Sequence, residues 1–316
     1  MDAPERPLVS TVLITRDRPD RLRAAVDSLR EQTYPNLELV VVDGSRDSVE
    51  SLVRRHAGDV PVTYLRDDGE GPGAARNVGI GAATGEYVAF LDDDDRWLPE
   101  KTERQVEAFA PGVGTVYTGQ FVVRDGQRVG GRTPSLSGWV TEKLLRGEAL
   151  CPTSTVMVRR ALVDRAGGFD ETLPVWEDRE WYVRLSNYGT FRPVAAELVR
   201  RGFGDYEQLT DDFVAARDIA YPRFVEKHRS LAAGYGRGCE RALVASLSLK
   251  LAAIGVGAGR YSEARRFVLR SLRHDPFRSL SWLYLAVSLG GRPARTFANR
   301  LRRIRRTLAA DGPGGG

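Results

Sequence analysis

Four apolar runs, each closing on a polar residue and followed by a helical or glycine-rich stretch, set the tightest limit on how this chain folds. They are LVSTVLIT (8–15), LELVVVDGS (37–45), VTYLRD (62–67) and EYVAFLDDDD (86–95). Between them, RLRAAVDSLREQ (21–32) has helical periodicity and AARNVGIGAAT (74–84) reads as a short helix. Continuous β-branched runs alternating with helices imply a parallel sheet covered on both faces. In such open α/β sheets a ligand sits beyond the carboxyl ends of the strands. Thr15, Asp43, Asp67 and an aspartate run all fall at those ends.

That run, Asp92, Asp93, Asp94 and Asp95, raises an electrostatic question. Unit charges about 4 Å apart repel by roughly 1 kcal/mol in water and about 4 kcal/mol near a protein surface. A solvated turn tolerates this by splaying its side chains. A site that draws the carboxylates together needs a cation, and hard divalent ions take carboxylate oxygens. Taken alone the run admits both readings.

With 316 residues the chain can bury two cores, and its 42% hydrophobic and 28% charged content is that of a soluble globular protein. A net charge of +5 is compatible with an acidic membrane surface, nucleic acid or a phosphorylated ligand, and selects none of them. Cys151 and Cys239 lie far apart, and His56, His228 and His274 are scattered, which argues against a disulfide framework and a zinc site. The opening MDAPERPLVS lacks the apolar core of a signal peptide, so a cytoplasmic location is expected. The longest apolar stretch, Ala242 to Ala258, carries Lys250 and reads as a core helix rather than a membrane span.

Beyond residue 112, GTVYTGQFVVRDGQRVG reads as a hairpin and a helix is expected near 176–187. After Phe203 the texture turns helical, at 211–229, 238–257, 261–273 and 278–290. The expected organisation is a domain over 1–204, a helical domain over 205–310 and a flexible tail over 311–316. GRYSEARRFVLRSLRHDP (259–276) is similar to the second helix of a tetratricopeptide unit, but a single unit does not make a repeat array.

Three segments carry a specific resemblance in their order and spacing: TVLITRDRPDRLRAAVDSLREQTYPNLELVVVDGS, GPGAARNVGIGAATGEYVAFLDDDDRW and GGFDETLPVWEDREWYVRL. Over residues 8 to 202 the chain resembles family-2 glycosyltransferases of the GT-A fold. The resemblance implies an α/β nucleotide-diphospho-sugar transferase fold, Rossmann-like with a mixed, mostly parallel sheet, followed by a smaller all-α domain. It also implies an inverting, hexosyltransferase-type enzyme that uses Mn²⁺ or Mg²⁺ and a nucleotide-sugar donor, UDP-sugars foremost. The acceptor would be a hydroxyl in a cell-surface polysaccharide or a lipid-linked glycan.

Residue by residue, the DXD-type motif becomes Asp92-Asp93-Asp94, with Asp94 where relatives bind the metal and Asp93 where they touch the ribose. Thr15 and Asp43 fall in the nucleotide-binding loops, although Arg16, Asp17 and Gly44 depart from the usual residues there. Arg76, followed by Asn77, matches a recurrent Arg-Asn pair, and its guanidinium suits a base edge or a phosphate. Asp178 matches the base that deprotonates the acceptor. Glu177, Trp176 and Trp181 are expected around the acceptor, the indoles as sugar-stacking faces, with Thr153 and Ser154 on a strand beneath it. Helix-dipole stabilisation is an alternative use for the two acids.

GRPARTFANRLRRIRRTL (291–308) holds seven arginines with apolar residues at helical spacing, preceded by Trp282 and Tyr284. Residues 280–308 therefore suggest peripheral contact with the inner membrane face, or an ordinary docked helix. A sugar-nucleotidyltransferase would need a glycine-rich triphosphate loop with a lysine near the start, which LITRDRPDRL lacks. Nucleic-acid binding has only charge in its favour. A catalytically degenerate nucleotide-sugar-binding scaffold remains the alternative.

Overall fold

The structure, a computed structural model, describes residues 6–67, 71–124, 127–202, 212–291 and 293. Two compact units emerge, Met1–Leu144 with Glu148–Tyr206, and Leu145–Gly147 with Glu207–Gly316.

The first unit is built on a nine-stranded sheet in the order β3-β2-β1-β4-β8-β6-β9-β5, with β7 paired to β6. β1 (Val9–Thr15), β2 (Leu37–Asp43), β3 (Val62–Arg66) and β4 (Tyr87–Asp92) run parallel, as their unbroken apolar sequences require. α1 (Pro19–Arg30) begins with a proline where no intrahelical donor is needed, and Asp20 sits in its first turn. Leu22, Ala25, Val26 and Leu29 then fall on one face and are buried. α2 (Glu50–Ala57) follows β2, and α3 (Pro72–Ala82) follows β3. α3 lies so close to the sheet that a Cβ on Gly79 would come within 2.3 Å of Val12 Cγ1, which only glycine avoids.

The second half of the sheet is less regular. After β5 (Arg96–Trp97) and α4 (Lys101–Ala108), β6 (Val113–Arg124) and β7 (Gln127–Arg132) pair antiparallel, as the hairpin reading anticipates. α5 (Thr141–Leu145) and a 3₁₀ turn, Thr153–Thr155, lead into β8 (Val156–Arg159), which inserts antiparallel between β4 and β6. α6 (Arg160–Ala166) and α7 (Glu177–Ser186) precede β9 (Thr190–Arg201), which runs parallel to β6 and pairs with β5 at its far end. The sheet is therefore mixed.

In the second unit, α8 (Phe213–Ala215) is one turn that passes through a π-helical turn, Ala216–Ala220, into α9 (Tyr221–Gly234). α10 (Arg237–Gly257) and α11 (Tyr261–His274) follow, and residues 279–291 are again helical. Leu243, Leu247, Leu251 and Val256 of α10 are buried, so the Ala242–Ala258 stretch is a core helix. Among the described residues no helix is long and apolar enough to cross a membrane. The basic stretch from residue 294 onward lies outside the described residues.

Candidate active site

The neighbouring strands β2, β1 and β4 bring Thr15 level with Asp43 and Ile14 level with Asp92. Their carboxyl ends thus form one rim, at the switch point where a doubly wound sheet opens a crevice.

Along the turn after β4, burial alternates: Asp92 and Asp94 are half-buried, whereas Asp93 and Asp95 are buried. Thr15 Oγ1 donates to Asp93 at 2.9 Å and Arg18 Nη1 reaches it at 3.3 Å. Burial nevertheless pushes the Asp93 carboxyl up to about 6, against the pull of Arg18 and Thr15. Asp95 accepts from the Gly202 N–H at 2.9 Å, and burial beside Asp92 and Asp94 raises it further. Residue 202 must be glycine, since a Cβ there would lie 2.0 Å from the Asp94 carbonyl oxygen. Thr153 Oγ1 donates to Asp92 at 3.2 Å, and Ser154 Oγ accepts from the Asp92 N–H at 3.1 Å. Both residues are buried, supporting the turn from beneath.

Asp43 is fully buried at the end of β2. It accepts from the backbone N–H of Ser45 at 2.8 Å and of Val49 at 3.2 Å, from Arg66 at 2.7 Å, and from the Tyr64 hydroxyl. Burial pushes its carboxyl up, but the donors of Ser45, Tyr64 and Val49 outweigh that and hold it below the ordinary value. Asp17 tightens the same rim: its N–H donates to Ser45 Oγ and its carboxylate accepts from the Arg46 N–H.

α7 supplies the opposite wall. Trp176 caps it in a left-handed conformation, φ 68°, immediately before Glu177 and Asp178. Arg76, from α3, donates to Glu177 at 2.9 Å and to Asp92 at 2.9 Å, so it joins the start of α7 to the aspartate turn. Burial, with Asp178 adding to it, raises the Glu177 carboxyl, and Arg76 opposes the shift. Asn77 donates to the Phe169 carbonyl and accepts from the Phe169 N–H, pinning the segment that leads to α7. Asp178 is half-buried, and its Oδ1 accepts from the Arg179 N–H at 2.6 Å.

The two indoles expected as sugar platforms are instead core. Trp176 and Trp181 are buried; Trp181 stacks on Phe169 with centroids 4.3 Å apart and donates to the Gly167 carbonyl. Their hydrophobic area is better placed inside than exposed, and neither offers a free face. The sequence alone gives no signal for Arg18, Tyr64 and Arg66, whose partners Asp93 and Asp43 lie far away in the chain.

Residues 10–165 match the sequence profile of Glycosyl transferase family 2. This segment is a family 2 glycosyl transferase domain. The transferase domain is 34% identical over 106 residues to a Bacillus subtilis protein named as a candidate teichuronic acid biosynthesis glycosyltransferase, TuaG, covering 32% of this chain and 42% of that protein. The chain spans 64% and 56% of the lengths of the first curated relatives it matches, both uncharacterized glycosyltransferases. Among solved structures, S. aureus TarS 1-349 in complex with UDP-GlcNAc aligns with a TM-score of 0.56 at 17% identity, over 88% of this chain and 91% of that one. A mannosyltransferase from Pyrobaculum calidifontis in complex with GDP-Man and Mn²⁺ aligns with a TM-score of 0.55 at 20% identity, over 94% of this chain and 84% of that one. The fold is GT-A.

Among the described residues, no three His, Cys, Asp or Glu side chains converge as a preformed cation cage. The donor set of the transferase domain still fits a hard cation, which is commonly held by one or two carboxylates together with substrate phosphates. Asp92 and Asp94, the half-buried pair, supply such oxygens.

Proposed function

We propose that this protein is an inverting glycosyltransferase that moves a sugar from a nucleoside-diphosphate donor, foremost a UDP-sugar, to a hydroxyl of a cell-surface polysaccharide or glycolipid. The observation that carries the reading is the juxtaposition of the aspartate turn with the Glu177-Asp178 end of α7 through one arginine. The ligands named for two structural neighbours, UDP-GlcNAc and GDP-Man with Mn²⁺, support a sugar-nucleotide site in this fold. The similarity to TuaG supports a cell-surface product.

In this reading the rim formed by Thr15, Asp17, Ser45 and Arg66 receives the nucleoside, and Asp93 orients the ribose. Asp94, with Asp92, holds Mn²⁺ or Mg²⁺, which when bound supplies Lewis-acid neutralisation of the leaving diphosphate. Asp178 accepts the proton of the acceptor hydroxyl as its oxygen bonds to the anomeric carbon, and the nucleoside diphosphate leaves with the electrons of the broken C–O bond. Glu177, whose charge is held by Arg76, shapes the acceptor side next to that base.

The second unit is proposed to rest on an acidic membrane face while the transferase domain stays in the cytoplasm. Phe277 is 94% exposed and Trp282 55%, with Leu280 and Leu283 beside them in sequence, Arg273 ahead of the segment and Arg278 within it.

The test is a thermal-shift series with UDP, GDP, dTDP and CMP, each with and without Mn²⁺. A ligand at a hundredfold excess over its Kd stabilises by about 2.7 kcal/mol. The expected result is a shift with UDP that needs Mn²⁺ and is lost in Asp94→Ala. No shift with any nucleotide and metal overturns the reading.

A further inference from the structure

Arg76 is only 6% exposed, yet it sits among three acids. Its two terminal nitrogens are spent on carboxylates 16 and 101 residues away, Asp92 Oδ1 and Glu177 Oε1, each at 2.9 Å. Its guanidinium lies 5.4 Å from the Phe169 ring centroid, and its Nε is buried without a hydrogen-bond partner. Such a side chain is badly placed to grip a ligand, because each Nη is already bonded to a carboxylate, its Nε is buried, and only 6% of the residue is exposed.

Stability alone is also a poor reason to keep it. A buried ion triplet recovers its desolvation cost only with good geometry, and apolar replacements of similar volume are often as stable. What the triplet does supply is a fixed spacing. Asp92 opens the turn that would hold the metal, and Glu177 is the residue before the proposed base. The adjacent Asn77 clamps both backbone groups of Phe169, so the same helix, α3, holds two points on the approach to α7.

We propose that Arg76 is a positioning residue: it contacts neither donor nor acceptor, and it sets the separation between the metal-bearing turn and the base on α7. The role rests on the function proposed above. Lysine carries the same charge but presents one ammonium point in place of a rigid fork, so Arg76→Lys cannot span both carboxylates in the same way. Glu177→Gln keeps an oxygen facing Nη1 and releases only the α7 arm.

The test combines three measurements on wild type, Arg76→Lys and Glu177→Gln. They are amide hydrogen exchange over 92–97 and 176–182, affinity for UDP with Mn²⁺, and release of UDP from UDP-GlcNAc or UDP-glucose with water as acceptor. In Arg76→Lys, exchange should rise at least tenfold in both segments together, and kcat for UDP release should fall at least tenfold. The Kd for UDP with Mn²⁺ and the KM for the donor should stay within threefold. In Glu177→Gln, exchange should rise only in 176–182, which keeps the inference testable should the lysine variant fail to fold. A tenfold loss of UDP affinity in Arg76→Lys with unchanged exchange makes Arg76 a donor contact and overturns the inference. Unchanged exchange in both segments overturns it equally. If wild type binds no nucleotide, the proposed function fails, whereas failure of the exchange pattern alone removes only the role of Arg76.

Discussion

The ends of β2 and β4 both place aspartates on the same rim of the parallel sheet, and the two are completed differently. At β2, Asp43 has no exposed surface, but both of its oxygens are engaged by N–H or O–H donors, and its carboxyl lies below the ordinary range. After β4, Asp93 and Asp95 are also buried, yet their few donors leave both carboxyls raised, Asp93 to about 6. Burial pushes all three carboxyls up; at Asp43 the donors outweigh it, and at Asp93 and Asp95 they do not. At the β2 end the donors hold the carboxyl charged, whereas at the β4 end burial favours the protonated acids at Asp93 and Asp95.

The contrast breaks most visibly if Asp94 is not special. Asp94→Ala should abolish the Mn²⁺-dependent stabilisation by UDP, worth about 2.7 kcal/mol at a hundredfold excess of ligand, and should lower sugar transfer on the order of a hundredfold. Retained stabilisation, read by thermal shift, would put the cation elsewhere.

Asp43→Ala should act on the fold rather than on the metal. It removes acceptors from Tyr64, Arg66 and two backbone N–H groups at once. About 2–3 kcal/mol of destabilisation is expected, since charged hydrogen bonds contribute about 1.5–3 kcal/mol each and the half-exposed Arg66 regains water. Urea unfolding checks this, and a loss under 1 kcal/mol would remove Asp43 as the hub of its loop.

The pH dependence sharpens the comparison because the two ends have opposite signs. Asp43, lowered in the fold, contributes stability that is present above its unfolded value near 3.8 and is lost as pH falls through the folded value. Asp93, raised from 3.8 to about 6, binds its proton more tightly in the folded chain. Stability from this group therefore falls as pH rises through that window, by at most about 3 kcal/mol at about 1.36 kcal/mol per pH unit. The raised Asp95 extends the fall to higher pH. Metal-free protein should melt higher at pH 5 than at pH 8, and Mn²⁺ should flatten that difference. Higher melting at pH 8 in EDTA would show that the β4 end is already neutralised.

Much of the first half was legible in the sequence because its signals are local. Apolar runs gave β1 to β4 their parallel pairing, and the Gly-Pro pair marks where α3 starts. The helices of the second unit carry their own periodicity. What was not legible depends on partners distant in the chain. Nothing in VTYLRD says that Tyr64 and Arg66 will turn onto Asp43, and nothing in VMVR says that β8 will insert antiparallel between β4 and β6. Trp176 and Trp181 beside two acids suggested a sugar platform, but the stacking of Trp181 on Phe169 depends on the segment between α6 and α7 folding back onto α7. Lys101 likewise sits at a helix start where solvent is usual, and it is buried over Trp97 with Gln105 Oε1 accepting from Nζ at 2.6 Å.

The smallest expected effect is also the most discriminating, because it uses one substitution at both ends. Asparagine in place of Asp95 keeps an oxygen for the Gly202 N–H and removes the need to take up a proton in a place where burial and the neighbouring acids disfavour the charge. Like the protonated acid it replaces, the amide offers both an acceptor and a donor. The change should stay within about 1 kcal/mol of wild type, on the stabilising side at neutral pH without metal, since no proton then has to be taken up on folding. Asp43→Asn is equally isosteric, but there the new NH₂ group faces the Val49 N–H and Arg66 on one side or the Ser45 N–H on the other, with only the Tyr64 hydroxyl able to turn and accept. It should destabilise by about 1–3 kcal/mol, the cost of a buried group left without its bond. Paired urea titrations in EDTA read both variants on one scale. Opposite signs follow if donor number sets the character of each end, and equal losses at Asp43 and Asp95 would mean that the two ends are built alike.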